Sequence, residues 1–283
     1  MRYGLGLPVN DLSLLAEWAR RAEASPFRTV ALLDRLVYGN PDPLITLATV
    51  AGATSRVRVQ TEVLLAPHYN TAVLAKQTAT LDRLSGGRFT LGIGIGGRED
   101  DAAAAGIDPR RRGRRLDAQM ALLRRTWAGE PYGDGAGPVG PAPATPGGPE
   151  VLFGGFAPAA LERVGRWGDG FLGAGLPAPY MDRKFREVER GWQRHGREGR
   201  PRLVAQVNAA LGSEALVEEA RKEIGAYYAF TGHAEYMVEG LLSTPESIRE
   251  AVTAYGDIGA DELVFYCWAA DPAQADRLAA LVP

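Results

Sequence analysis

Short runs of apolar residues alternate along the chain with longer segments in which apolar residues recur at helical spacing. Nearly continuous apolar runs are typical of parallel strands that are buried on both faces. We predict eight strands, at residues 3–8, 29–34, 57–65, 88–94, 150–153, 170–172, 203–211 and 262–266. Strands that alternate with helices favour βα units and a parallel sheet.

The segments between the strands carry signals for helix starts. Asp11 is predicted to cap a helix that extends to Ala24, and proline occupies the first turn of helices that start at Asp42-Pro43 and Thr244-Pro245. The other predicted helices are 72–84, 114–128, 158–167, 179–195, 214–226 and one that starts at Asp271.

Eight strands with intervening helices in 283 residues match a closed (β/α)8 TIM barrel, which we expect to form one domain over residues 1–283. The alternative is a doubly wound open sheet. It usually has fewer strands, and no G-x-G-x-x-G motif follows the first predicted strand.

Two segments interrupt this pattern, and we expect them to set the substrate preference. Residues 129–149 are dense in glycine and proline, which excludes a helix or a central strand and is typical of a lid or a mobile loop. Residues 227–243 are rich in aromatic residues, and we predict a helical insertion before strand eight that covers the barrel mouth or a dimer face. Tyr38, Tyr228, Phe230 and Trp268 are candidate pocket walls or plain core residues.

The composition limits the possible functions. Hydrophobic residues make up 46% of the chain and the net charge is −2, so a sizeable core is possible and a nucleic-acid partner is not expected. The single cysteine, Cys267, excludes an intrachain disulfide and a cysteine-rich metal site. No apolar stretch approaches the ~20 residues of a membrane helix, and the start of the chain does not resemble a signal peptide. We therefore expect a cytoplasmic protein without a membrane partner or a metal.

Active sites of TIM barrels lie at the carboxyl ends of the strands, so the residues that follow each strand are the site candidates. Glycines there let a ligand approach the backbone, and the helix start after Gly154-Gly155 would suit a phosphate, with Arg98 as a further contact. Alternatively, these glycines only form tight turns. The candidates are Asp34, Arg35, His68, Gly94, Gly96, Gly97, Arg98, Gly154, Gly155, Phe156 and Ala157.

A run of arginines occupies residues 110–115. We interpret it mainly as the exposed start of a helix, from which some arginines reach the anionic tail of a cofactor. Nucleic-acid binding is less favoured because the chain is not basic overall and aromatic residues are not interleaved.

One segment also carries a family resemblance. Residues 75–94, AKQTATLDRLSGGRFTLGIG, strongly resemble the bacterial luciferase-like superfamily, which contains flavin-dependent monooxygenases and F420-dependent oxidoreductases. Residues 155–161, 168–171 and 258–264 support the resemblance, which covers nearly the whole chain.

The resemblance implies a barrel that holds an isoalloxazine or deazaflavin ring at its mouth. It also implies a non-proline cis peptide on strand three that supports the ring from behind, at Glu62–Val63 in the run Thr61-Glu62-Val63. The phosphate contacts would fall on Gly97-Arg98 and on residues 154–157.

This chain departs from the family pattern after strand two. Many members have an acidic residue followed by a histidine that does acid–base work, whereas this chain has Asp34-Arg35. Arginine cannot serve as a base near neutral pH. Arg35 is therefore a candidate to bind an anionic substrate or cofactor tail, or to stabilise a reduced flavin, unless it only pairs with Asp34 at the rim. His68 is the remaining acid–base candidate.

Taken together, these residues predict an oxidoreductase with a small-molecule substrate. The resemblance favours a monooxygenase that uses reduced FMN and O2, with a separate flavin reductase as a possible partner and a homodimer as the expected assembly. The first alternative is an F420H2-dependent reductase or dehydrogenase, and the second is a non-catalytic barrel subunit.

Overall fold

Parallel strands form a closed ring in the computed structural model, which describes residues 1–7 and 11–283. The strands are β1 (Arg2–Gly6), β2 (Thr29–Leu32), β3 (Arg58–Thr61), β4 (Leu64–Leu65), β5 (Phe89–Gly94), β6 (Pro131–Gly133), β7 (Ala136–Pro138), β8 (Glu150–Gly154), β9 (Gly170–Leu172), β10 (Arg202–Ala209) and β11 (Glu262–Cys267). β1 pairs with β2 on one side and with β11 on the other, and the pairing of β3 with β5 closes the ring.

The ring has eight strands because β3 and β4 are the two halves of the single strand predicted at 57–65. They are separated by Glu62–Val63, where the implied non-proline cis peptide is present. The predicted closed barrel is thus confirmed. The predicted end of the first strand, at Pro8, lies outside the described residues.

Helices surround the barrel and cover its outer face. They are α1 (Leu15–Ala24), α2 (Pro43–Ala53), α3 (Thr71–Leu84), α4 (Glu99–Ala104), α5 (Arg112–Trp127), α6 (Pro158–Trp167), α7 (Ala178–Arg194), α8 (Glu214–Tyr228), α9 (Ala234–Glu239), α10 (Pro245–Asp257) and α11 (Gln274–Ala279). Within the described ranges, no helix is both long and apolar enough to cross a membrane.

Several helix starts differ from the prediction. Asp11 caps a short 3-10 turn, Leu12–Leu14, and α1 begins only after it. The last helix begins at Gln274 rather than at Asp271. The short helix α4 was not predicted because it spans only six residues, although its three acidic residues in the first turn are typical of a helix start. The caps of α2 and α3 are Asp42 and Asn70, whose side chains accept hydrogen bonds from backbone N–H groups of the first turn.

The Gly/Pro-rich segment 129–149 lies at the end of the barrel opposite the mouth, because it joins the carboxyl end of α5 to the amino end of β8. It contains the hairpin β6–β7. The buried carboxylate of Asp82 anchors the segment by accepting hydrogen bonds from the backbone N–H (2.7 Å) and the hydroxyl (3.1 Å) of Thr145. The expectation that this segment is a lid that sets substrate preference is therefore wrong.

Two layers of side chains fill the barrel below its mouth. The lower layer is polar: Arg202 bridges the carboxylates of Glu150 and Glu262, and Arg58 contacts Glu150 from the other side. The layer above it is apolar and consists of Ala31, Leu152, Leu172, Val204 and Val264. Inward positions that alternate along each strand explain why polar and apolar layers are segregated in this way.

We expect Arg202→Met to lower the free energy of unfolding by about 3–5 kcal/mol, because it leaves the Glu262 carboxylate, which is 1% exposed, without its cation. Urea unfolding at pH 7 measures the change. The double variant Arg202→Met/Glu262→Gln removes the unpaired charge and should regain part of the loss. If Arg202→Met is as stable as the unaltered protein, Arg202 does not stabilise the buried carboxylate of Glu262.

Candidate active site

A cleft of about 370 Å³ opens at the carboxyl ends of the strands. This volume is within the range of small-molecule sites. The lining residues are Asp34, Arg35, Glu62, Val63, Leu65, Gly94, Ile95, Gly96, Gly97, Arg98, Asp101, Gly154, Gly155, Phe156, Leu172, Gly173, Ala174, Gln206, Tyr227, Tyr228 and Phe230. A larger depression of about 480 Å³ next to α10 contains none of the predicted site residues.

The cleft brings together most of the residues that the sequence singled out, from the loops after β2, β5 and β8 and from the junction of β3 and β4. Thr61, His68 and Ala157 are not among the lining residues. Thr61 is fully buried, and its hydroxyl donates a hydrogen bond to the carbonyl of Gly92 at 2.7 Å. Ala157 is the N-cap residue of α6.

Val63 packs between two glycines on the floor of the cleft. A methyl group added at Gly94 would stand 2.8 Å from Cγ2 of Val63, and one added at Gly154 would stand 2.7 Å from Cγ1. Such approaches are too close for carbon atoms, so packing explains both glycines. Gly96 and Gly155, with φ values of 73° and 119°, instead fit the alternative that the glycines form turns. Val63 and its two glycines form a surface poor in side chains, which we call the Val63 platform.

Asp34 holds the strand beyond the platform in place. Its Oδ2 accepts hydrogen bonds from the backbone N–H of Leu65 at 2.8 Å and from the hydroxyl of Tyr69 at 3.1 Å. The residue is only 7% exposed, and burial raises the pKa of its carboxyl group to about 6. Asp34 therefore positions β4 rather than pairing with its neighbour in sequence.

Arg35 forms its ion pair with Asp101, the Nε–Oδ2 distance being 3.2 Å. The alternative that Arg35 pairs with Asp34 is wrong, because Asp34 is turned towards Leu65. The guanidinium carbon lies 5.2, 5.0 and 5.3 Å from the ring centres of Tyr38, Tyr227 and Phe230, respectively. Its side chain is 5% exposed. The cation is thus enclosed by a carboxylate and three aromatic rings, which stabilise it by charge pairing and cation–π attraction.

This enclosure joins three separate parts of the chain. Asp101 belongs to α4, and its other carboxylate oxygen accepts hydrogen bonds from the backbone N–H groups of Leu36 and Val37. Tyr227 and Phe230 belong to the predicted insertion, which is built from the end of α8 and from α9. As expected, this insertion covers part of the mouth.

Arg98 lines the cleft but already has partners within the protein, whereas His68 is not among the lining residues. Arg98 is paired with Asp100, and its guanidinium lies 4.9 Å from the ring centre of Phe230. His68 lies behind the loop after β5. Its Cε1 is 3.6 Å from the position that a Cβ atom at Gly96 would occupy. Burial lowers the pKa of His68, so the neutral imidazole is favoured.

The start of α6 offers hydrogen-bond donors to an anion. Its N-cap residue, Ala157, provides no side-chain cap, and Pro158 occupies the first turn. Gly155 and Phe156, which precede it, line the cleft. The amino end of a helix without a capping side chain attracts a phosphate through its N–H groups and its dipole.

Sequence reasoning missed Gln206 and Asp101. Gln206 lines the cleft from β10 and is buried. A polar residue inside the apolar run 203–211 was a usable signal, since Arg202, Gln206 and Asn208 fall on the same alternating face of the strand. Asp101 had no such signal, because nothing local to α4 points to Arg35.

The model of the luciferase-like monooxygenase family matches residues 2–255. The chain belongs to the luciferase-like monooxygenase family. It is accordingly an enzyme of the flavin- or F420-dependent oxidoreductases, as the resemblance in residues 75–94 indicated.

Three relatives illustrate the range of this family. An F420-dependent glucose-6-phosphate dehydrogenase of Kineococcus radiotolerans is 28% identical, covering 89% of this chain and 86% of the relative. The structure of an F420-dependent secondary alcohol dehydrogenase with an F420–acetone adduct superposes with a TM-score of 0.82 at 17% identity, covering 100% and 99% of the two chains. The oxygenating constituent of 3,6-diketocamphane monooxygenase from Pseudomonas putida, in complex with FMN, superposes with a TM-score of 0.78 at 17% identity, covering 99% and 96%.

We expect the stability of Asp34→Asn relative to the unaltered protein to rise with pH. The pKa of Asp34 in the folded state, about 6, exceeds the value of about 3.9 for an unfolded chain. The folded protein therefore binds this proton more tightly, and the associated stability is lost as pH rises from about 4 through 6. The shift corresponds to roughly 3 kcal/mol, which asparagine does not lose. Urea unfolding of both proteins at pH 4 and pH 7 checks this, and parallel pH profiles would refute it.

We expect Arg35→Met to destabilise the protein by about 3–5 kcal/mol, because the carboxylate of Asp101, which is 1% exposed, loses its cation. Arg35→Lys keeps the charge but not the planar stacking on three rings, and it should cost less. Thermal unfolding measures stability, and near-ultraviolet circular dichroism reports the packing of Tyr38 and Tyr227. Unchanged spectra and stability in Arg35→Met would show that the contacts of Arg35 with Asp101 and the aromatic rings do not stabilise the protein.

Proposed function

We propose that this protein is a monooxygenase that uses reduced FMN and O2 to oxidise a small organic substrate. The observation that carries the proposal is the Val63 platform, a surface poor in side chains on the floor of a cleft at the mouth of a closed barrel. The uncapped start of α6 adjoins it through Gly154. A planar ring with a phosphate attached through a short chain fits this combination.

Different residues of the cleft bind the ring and the phosphate. The Val63 platform supports one face of the ring, and the backbone at Gly155, Phe156 and Ala157 receives the phosphate, with Gly97 and Arg98 as further contacts from the loop after β5. Asp34 and Thr61 keep β3 and β4 in the position that this requires. When bound, reduced FMN supplies two electrons, and O2 supplies the oxygen atom that the substrate gains.

The residues above the cleft exclude water and set the local charge. Tyr227, Tyr228 and Phe230 cover one side of the mouth. Arg35 packs against the rings of Tyr227 and Phe230 and keeps them in place, while its charge is balanced by the ion pair with Asp101. His68 stands behind the Gly96 loop, so its position supports a role in holding that loop more than direct proton transfer.

The second candidate is an F420H2-dependent reductase or dehydrogenase. A depression between α4 and α5 is lined by Asp108, Arg111, Arg114 and Arg115, and it would suit the long anionic tail of F420 better than the single phosphate of FMN. The extensive match to an F420-dependent glucose-6-phosphate dehydrogenase supports this candidate as well. For the FMN function, we propose a separate reductase as electron source, and for either function a homodimer.

Anaerobic titration with FMN, FMNH2, F420 and F420H2, followed by fluorescence, separates these functions. We expect selective binding of FMNH2, and at least tenfold weaker binding by Gly154→Ala, because its methyl group displaces Val63. Gly52→Ala is the matched control, since a methyl group there meets nothing within 4 Å. Selective binding of F420 would establish the second candidate. Binding of none of the four would leave a non-catalytic barrel.

A further inference from the structure

Glu62 lines the cleft and carries a buried carboxyl group that has no part in the ring and phosphate contacts proposed above. The residue lies at the end of β3, directly before Val63, and lines the same cleft. It is 9% exposed, and among the described residues neither carboxyl oxygen has a hydrogen-bond partner. Buried polar groups of folded proteins nearly always have partners, so an unpartnered carboxyl group next to a cleft points to a ligand.

The groups around Glu62 decide its charge. Glu262 of β11 adds negative charge, whereas Arg202 of β10 acts in the opposite direction. The amide of Gln60 of β3 lies close by, but neither its nitrogen nor its oxygen makes a hydrogen bond within the described ranges. Burial, together with Glu262, raises the pKa of Glu62 to about 8. The other titratable neighbours are Tyr228 of α8 and Tyr266 of β11, and burial raises the pKa of both, so they remain neutral. Glu62 therefore carries its proton at neutral pH.

A protonated carboxyl group donates a hydrogen bond through its O–H, which a carboxylate cannot do. The only change needed to turn Glu62 from a donor into a repelling charge is the loss of that proton. A ligand that accepts the hydrogen bond is held below the pKa, and an electron-rich ligand is repelled above it.

We infer that Glu62 is a ring-binding acid, whose carboxyl O–H donates a hydrogen bond to a carbonyl oxygen or a ring nitrogen of the flavin-type ring on the Val63 platform. The inference rests on the proposed function, because the platform defines where the ring lies. It goes further by assigning a residue that favours the reduced, electron-rich ring over the oxidised one.

The direct test is the affinity for reduced and oxidised FMN and F420 at pH 6.5 and pH 9.5. For the reduced form, we expect affinity to fall at least tenfold between these pH values, and by less for the oxidised form. Glu62→Gln keeps the volume and an N–H donor, so its affinity should fall clearly less between these pH values than that of the unaltered protein. Glu62→Leu lacks a donor and should bind weakly at both pH values. Glu198→Gln, at an exposed position, controls for the loss of a surface carboxylate.

Infrared difference spectra of the ligand-free protein against Glu62→Gln supply a measurement that needs no ligand. We expect a protonated carboxyl band at pH 7 that disappears around pH 8. A carboxylate at pH 7 would overturn the inference, and so would ring binding with the same pH dependence in the unaltered protein and in Glu62→Gln. If no ring binds to any variant, the proposed function itself fails and the donor role fails with it, whereas binding without a pH difference refutes only the role of Glu62.

Discussion

The packing of Val63 between Gly94 and Gly154 is the constraint on which the site depends. The two methyl groups of Val63 occupy the space in which side chains at both glycines would lie, so three strand positions are fixed together. Asp34 secures the next stretch of chain by binding the backbone N–H of Leu65. The cleft is therefore shaped by the packing of Val63 and by one buried carboxyl group that binds the backbone.

Burial determines the protonation state of the carboxyl groups in the site. Asp34 and Glu62 are both carboxylic acids with a raised pKa, but their partners differ. Asp34 has two donors within the protein, whereas Glu62 has none among the described residues, so only Glu62 remains free to serve a ligand. Arg35 is a buried cation whose charge is balanced by Asp101 and spread over aromatic faces. Asp34 thus binds the backbone, Glu62 is available to a ligand, and Arg35 holds the aromatic side chains at the mouth of the barrel.

The barrel could be predicted because parallel strands buried on both faces leave apolar runs in the sequence, and the closed sheet confirms it. Once the fold is known, the residues after each strand follow, and most of them do line the cleft. What could not be predicted depends on contacts distant in sequence. No local pattern indicates that Arg35 binds Asp101 of a helix as short as α4. The place of the segment 129–149 at the far end of the barrel, in contrast, follows from its position between a helix and the next strand. Glu62 was placed in the site by resemblance alone, and only the structure reveals that it lacks a partner.

The polar layer around Arg202 and the apolar layer above it determine where ligands can enter and leave the barrel. Both layers are filled, and the lower one is held by ion pairs to Glu150 and Glu262. In the part of the chain that the structure describes, the barrel is therefore closed below the cleft, and a ligand of the cleft enters and leaves at the carboxyl ends of the strands.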